Sequence, residues 1–366
     1  MRVNITAPFQ TENSYYKENA ALDWDKHTND CINDINNFHY VKFFDVDETA
    51  KIFPIWYTAK TKHFKKTNDQ EIIDYIELHK TKFLQKQLIP VFIDPLEGNT
   101  SIAERIDAIC NYFDNTIKMY FINADYKLQF RHNKFVHIFN DQWIHHLPPT
   151  NKPIKYFDDK TYINCNRVAR YHRCMLMDSI IDKGLLRDGF NTWANTYDAY
   201  EEYKQDFPKS KIQDVTFDTL DVADITATNP TNKIPLKHCS ASFLYLNTET
   251  HIEKENLFIS EKTYKPISIG MPFISLGNPG TLEYLRMIGF ETFHDWIDES
   301  YDLDLPLSKR VDIITDNLKY IKSVQNKQSL RKQMGETIRH NFEVYKRLQR
   351  KNTFVSALKR IEKGYV

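Results

Sequence analysis

The sequence predicts an α/β protein of two domains, each built on a mostly parallel sheet. Three observations carry this. Short apolar runs alternate with helical stretches along both halves of the chain, and no internal repeat interrupts them. A polar segment at 145–160 (HHLPPTNKPIKYFDDK) separates the halves, and its three prolines disfavour helix and remove ladder donors. At 366 residues the chain exceeds the usual size of one hydrophobic core.

In the first half, the run at 88–93 (LIPVFI) reads as a strand, 101–112 as a helix, 117–122 (IKMYFI) as a strand and 135–139 (FVHIF) as another. The second half opens with 162–186 (YINCNRVARYHRCMLMDSIIDKGLL). This reads as a strand, a turn at Asn166 and a helix whose apolar positions include Met175, Leu176, Ile180 and Ile181. Residues 241–246 (ASFLYL) form a buried strand leading into Asn247, Thr248 and Glu249. Next come a helix at 261–270 with Ser260 as its N-cap and a strand at 272–276. A Gly-Asn-Pro-Gly turn and a helix at 281–288, ended by Gly289, complete this stretch. From Asn326 onward the chain reads as helix, with Lys and Arg on one face. The expected division is 1–155, an acceptor-side domain; 156–345, a ligand-binding domain; and 346–366, a helix crossing back to the first domain.

Composition narrows the function classes. Apolar content of 41% and aromatic content of 14% support folded domains. Lys+Arg and Asp+Glu both number 49, whereas a dedicated nucleic-acid binder carries a basic excess, so nucleic-acid contact is expected to be local at most. Cys31, Cys110, Cys165, Cys174 and Cys239 are odd in number and lack CxxC spacing, which favours reduced thiols over a disulfide framework or zinc site. The N-terminus has no apolar h-region and no run reaches membrane-span length, so a soluble, cytoplasmic protein is expected. Frequent Asn, Lys, Ile and Tyr beside only nine Gly suggest an AT-rich genome, as in many phages and viruses.

The chemistry-bearing residues gather at the expected carboxyl ends of strands, where open α/β sheets bind ligands. Arg167, Arg170, His172 and Arg173 crowd one helix start. Cations there oppose the helix dipole by about 0.3 to 1 kcal/mol each unless an anion sits among them. Glu261, Lys262 and Lys265 open the next helix, where free backbone N–H groups suit an anion and a carboxylate suits ribose hydroxyls. Bland readings fit the same spacings. Glu261 and Lys265 also make an ordinary solvated i,i+4 pair, and the arginines a solvated turn or partners for Asp178.

Both segments resemble a group of glycosyltransferases, many viral or phage-encoded. The shared motifs are N-R-x-x-R-x-H-R at 166–173 and E-K-T-x-K-P-I at 261–267. They are followed by P-F-I, L-R-x-x-G-F-x-T-F and D-E-S-Y-D, so that the likeness covers roughly 160–305. The chain is also similar, more distantly, to the C-terminal half of the α-1,3-fucosyltransferases, where an Arg and a Glu-Lys pair bind the sugar nucleotide. The resemblance implies a GT-B architecture: two Rossmann-like domains with a cleft between them and the donor on the second. Its donor-binding positions would be Arg167, Arg170, His172, Arg173, Glu249, Glu261, Lys262 and Lys265, with Pro266 completing the second motif. A UDP- or GDP-linked sugar would be the co-substrate, with no other cofactor.

Transfer without a metal needs fixed cations around the leaving diphosphate and a base for the acceptor hydroxyl. Asp94 and Glu97, beyond the 88–93 strand, are the expected base candidates, although Asp94-Pro95 is also an ordinary turn opener. Glu12 and Asp23 stand behind them. Two motifs are set aside: Asp45-Val46-Asp47 imitates a metal-holding D-x-D, and His145-His146 point apart as neighbours. The expectation is an inverting, metal-independent glycosyltransferase acting on a glycan or a hydroxylated DNA base, as in phage DNA modification. The alternative is an inactive nucleotide-sugar-binding protein of the same fold.

Overall fold

A computed structural model describes residues 3–5, 9–10, 44–46, 49–56, 69–94, 100–130, 133–145, 147, 149–157, 159–166, 168–193, 199–218, 234–350 and 353–364. Two compact units emerge, Met1–His146 with Lys351–Val366, and Leu147–Arg350. Among the described residues no helix is long and apolar enough to cross a membrane.

The first unit holds β1 (Val3–Ile5), β2 (Phe9–Gln10), β3 (Phe44–Val46), β4 (Ile52–Trp56), β5 (Ile89–Asp94), β6 (Tyr120–Asn123) and β7 (Val136–Phe139). They form one parallel sheet in the order β3-β1-β4-β5-β6-β7, with β2 also paired to β4. Side chains alternate across a strand, and this sheet uses both faces. Phe53, Ile55, Phe92 and Phe121 share a core with Ile72 and Ile76 of α1 (Asp69–Leu78), Phe83 of α2 (Lys80–Leu84) and Ile102, Ile106 and Ile109 of α3 (Thr100–Tyr112). The intervening residues Ile52, Val91, Ile93, Tyr120 and Ile122 pack against Phe354, Val355, Ala357, Leu358 and Ile361 of the chain's final helix, Thr353–Glu362. Both faces being covered explains why β5 reads as a nearly unbroken apolar run instead of an alternating one.

The second unit carries β8 (Lys160–Cys165), β9 (Gly189–Thr192), β10 (Ser242–Thr248) and β11 (Phe273–Leu276), all parallel, in the order β11-β10-β8-β9. Its helices are α4 (Tyr171–Asp182), α5 (Ala199–Asp206), α6 (Leu236–Ser240), α7 (Glu261–Ser268), α8 (Thr281–Met287), α9 (Leu307–Ser323), α10 (Lys327–Gln333) and α11 (Gly335–Gln349). After β9 the chain returns to the other side of β8, so strand order reverses between β8 and β10. Such a reversal opens a crevice at the carboxyl ends of the two strands.

The segment expected as a linker is bound to the second unit. Thr150 N–H donates to Ser268 O at 3.1 Å, Ile154 N–H to Ile269 O at 3.1 Å and Phe157 N–H to Ser240 O at 2.7 Å, while the Tyr156 hydroxyl donates to Gly270 O. Its prolines suit an extended strap that donates only where a carbonyl waits. Gly270 completes the fit, because it has φ +69° and a Cβ there would stand 2.7 Å from Pro153 Cβ. The expected helices and strands occur within a few residues of their sequence bounds; β9 and β1 to β4 were not anticipated.

Leu358 is fully buried in the core under β4, β5 and β6 although it lies near the chain's end. Leu358→Ala is expected to cost about 2 to 5 kcal/mol in urea denaturation, against less than about 0.5 kcal/mol for exposed Lys363→Ala. Equal small losses would mean that the final helix contributes no core.

Candidate functional site

Loop 166–170 leaves β8 and turns into α4 at the reversal point. Asn166 is held there by three bonds: its N–H donates to Thr192 O at 3.3 Å, its carbonyl accepts from Thr192 Oγ1 at 3.3 Å, and its Oδ1 accepts from Thr248 Oγ1 at 2.5 Å. The α4 N-cap is Arg170, in extended conformation, and no side chain caps the helix. Its first bond is Cys174 N–H to Arg170 O, so the N–H groups of Tyr171, His172 and Arg173 have no intrahelical acceptor. Two further buried donors, Asn166 Nδ2 and Arg173 Nε, have no acceptor among the described residues. A helix N-terminus, an amide and a guanidinium edge thus supply donors within the short stretch from Asn166 to Arg173, and donors are what an anion requires.

Arg173 and His172 spend their remaining donors on the opposite strand end. Arg173 Nη2 donates to Thr248 O and Glu249 O, both at 3.1 Å, and Nη1 to Val168 O at 3.0 Å. His172 Nε2 lies 3.0 Å from Glu249 O and, facing a carbonyl, must carry the proton. Burial, then the Arg173 charge, pushes His172 down to about 3, so the ring is neutral at physiological pH. Burial also lowers Arg173 to about 10, with Arg170 adding to the shift. These two residues, expected as ligand contacts, therefore hold the backbone at the end of β10.

Glu249 departs from its expected role in the same way. Its buried carboxylate accepts Ser260 N–H at 3.2 Å and Thr263 Oγ1 at 2.6 Å on Oε1, and Ser260 Oγ at 2.5 Å on Oε2. Ser260 caps α7 as its sequence position predicts, accepting Lys262 N–H at 3.3 Å. Lys262 Nζ approaches Ser260 Oγ at 3.1 Å, Glu261 Oε1 at 3.2 Å and Thr250 Oγ1 at 3.5 Å. Glu261 is buried and Lys265 half-buried; burial lowers the Lys265 ammonium pKa, opposed by Glu261. Near Lys265, burial raises the pKa values of Cys165 and Tyr245. In this cluster the four cations Arg170, Arg173, Lys262 and Lys265 stand with three carboxylates, Glu249, Glu253 and Glu261, so that cations outnumber carboxylates by one.

No protein-family model and no curated protein sequence matches the chain. The physical arrangement of the crevice is therefore what bears on function.

The remaining expected residues fall elsewhere. Asp94, at the end of β5 in the first unit, is buried and lies in register with Asn123, next to the buried Asp125 and Asn140. Asn123 Oδ1 accepts Asp125 N–H at 2.6 Å, and Asn140 Oδ1 accepts Thr353 Oγ1 at 2.8 Å. Glu97, Arg167, Asp47, His146, Cys31, Glu12 and Asp23 lie outside the described residues. Asp45 lies within β3. Among the described residues no group of three or more His, Cys, Asp or Glu side chains is placed to hold a metal ion.

Sequence reading missed Thr263, Asn247 and Ser275, which complete the Glu249 network. It also missed Asp302 and Arg310, which hold the turn after β11. Arg310 donates to Tyr301 O at 2.6 Å and Gly277 O at 2.7 Å. Asp302 O accepts Gly280 N–H at 2.9 Å, and its Oδ2 accepts Leu282 N–H at 2.9 Å. Short polar residues facing a strand end carry no period in sequence. The usable signal was the DESYD run itself, whose last two residues, Tyr301 and Asp302, are buried.

Burial raises Asp302 to about 7, despite the Leu282 N–H and Arg310. Between pH 4 and 7 the folded chain thus keeps a proton that the unfolded chain has lost, so this group makes stability fall as pH rises and contributes no slope above 7. Subtracting the Asp302→Asn stability curve from wild type should leave a decline of up to about 1.4 kcal/mol per pH unit in that window. Parallel curves would show that Asp302 titrates normally.

Proposed function

We propose that the second unit binds a nucleotide sugar through its diphosphate, and that the protein is a glycosyltransferase of the GT-B kind. The observation carrying this reading is the uncapped basic start of α4 at the strand-order reversal, where among the described residues an amide and a guanidinium edge have no acceptor and three backbone N–H groups have none within the helix. A diphosphate supplies acceptors and charge of the required sign in one group. The motifs at 166–173 and 261–267, met at adjacent strand ends, support the same reading.

In this mechanism Arg170, Lys262 and the α4 N–H groups stabilise charge growing on the leaving diphosphate, with no metal required. Glu261, buried beside Lys262, would accept sugar or ribose hydroxyls. Asp94 is proposed as the base that takes the acceptor hydroxyl proton, in an inverting displacement at the donor carbon. The acceptor class proposed is a glycan or a hydroxylated DNA base. Release of UDP or GDP from the corresponding sugar nucleotide, in the presence of hydroxymethylated DNA or oligosaccharide, tests the reaction. Binding without release would identify a sugar-nucleotide receptor instead of an enzyme.

Arg170→Ala and Lys262→Ala should each weaken nucleoside-diphosphate binding by about 1.5 to 3 kcal/mol in calorimetry, the scale of a charged hydrogen bond. Unchanged affinity in both variants would remove the site assignment. Asp94→Asn preserves shape and should lower kcat by about 10² to 10⁴ while diphosphate affinity holds. Turnover at the wild-type rate would place the base elsewhere.

A further inference from the structure

Both carboxylate oxygens of Glu249 accept, and they orient the hydroxyls that point at them. The Ser260 hydroxyl has one hydrogen, and Glu249 Oε2 takes it at 2.5 Å. Both oxygen lone pairs of Ser260 then face Lys262, one accepting its N–H at 3.3 Å and the other its Nζ at 3.1 Å. Thr263 repeats the pattern. Its hydrogen goes to Glu249 Oε1 at 2.6 Å, so its oxygen accepts Asn247 Nδ2 at 2.8 Å and Ser275 Oγ at 3.1 Å. Glu249 is the terminal acceptor of a directed network that spans the ends of β10 and β11 and the first turn of α7. Its own backbone carbonyl is fixed by His172 and Arg173. Gly277 leaves the room required, since a Cβ there would lie 3.1 Å from both Glu249 Cγ and Thr281 Oγ1.

We propose that Glu249 is a positioning residue: it touches no ligand, and through Ser260 it sets where Lys262 presents its ammonium to the diphosphate. The inference rests on the diphosphate reading above and makes a finer claim. Glu249→Gln keeps the shape but places an NH2 against Ser260 Oγ or against the Ser260 N–H and Thr263 pair. In the first case Ser260 must accept from the new side-chain amide and keeps one lone pair for two Lys262 donors. In the second, two donors meet head-on. The head-on clash favours the first arrangement, and that one releases the Lys262 ammonium from its seat.

The test uses the full chain as wild type, Glu249→Gln, Ser260→Ala, Lys262→Ala and the Glu249→Gln/Lys262→Ala double variant, titrated with UDP and with GDP. Melting temperatures are recorded without ligand. Glu249→Gln and Ser260→Ala are each expected to weaken the bound nucleotide by about 10-fold or more, the scale of losing one charged hydrogen bond. In the Lys262→Ala background, Glu249→Gln should cost nothing further. A purely structural role would give the same loss in both backgrounds, and that result, or wild-type binding by Glu249→Gln, overturns the proposal. Should Glu249→Gln fail to fold, Ser260→Ala alone and combined with Lys262→Ala completes the same cycle. A second readout needs no nucleotide: the acylation rate of Lys262, followed by mass spectrometry, should rise in Glu249→Gln and Ser260→Ala. If wild type binds neither UDP nor GDP, the diphosphate reading fails, while the acylation rates still decide whether Glu249 holds Lys262.

Discussion

The backbone carbonyl of Glu249 is the point on which the second unit's crevice depends. It accepts from His172 Nε2 and Arg173 Nη2, both on α4, while belonging to the turn that leaves β10. Two strand ends on either side of the order reversal are thereby held in one geometry. The arrangement uses the buried Arg173 cation and the neutral His172 ring as hydrogen-bond donors to carbonyls, while the Glu249 and Glu261 carboxylates favour the Arg173 charge. Part of the charge at the crevice is thus built into the fold and not only into exposed side chains.

Glu249 also separates two tasks that its type would otherwise confuse. Its carbonyl ties α4 to β10, and its carboxylate ties β10 to α7. With the carboxylate filled by Ser260 and Thr263, a negative charge already sits at the start of α7, where the helix dipole favours it. The N-terminus of α4 has no such occupant among the described residues. Of the two helix starts at the crevice, that of α7 is capped by Ser260 and that of α4 carries no side-chain cap among the described residues.

The strands of both sheets were legible where they are buried on both faces, as β5 and β10 are, because burial demands unbroken apolar runs. The helix starts were legible from chemistry: Ser260 as a cap, and cations where a cap should stand. The short strand β9 was not. Gly189 opens it and Asn191, paired in register with Asn164 of β8, breaks the apolar pattern. The extent of the first domain was blurred by the segment after His146. Its prolines speak for a linker, yet carbonyls of 240 and 268–270 bind it to the second unit.

The sequence by itself determined which residues bear charge, that Arg170, Arg173, Lys262 and Lys265 fall near helix starts after strands, and that the chain divides into two α/β halves. These properties are local: they depend on spacing, capping and apolar runs within a few turns of helix or a single strand. Only the tertiary structure decided which of the charged groups remain available. Arg173, His172 and Glu249 look like ligand contacts when read along the chain. Apart from the Nε edge of Arg173, they are taken up by partners far along the chain or across the next helix. A hydrogen bond is a property of two atoms in space, so a motif can name its donors and acceptors but not their partners.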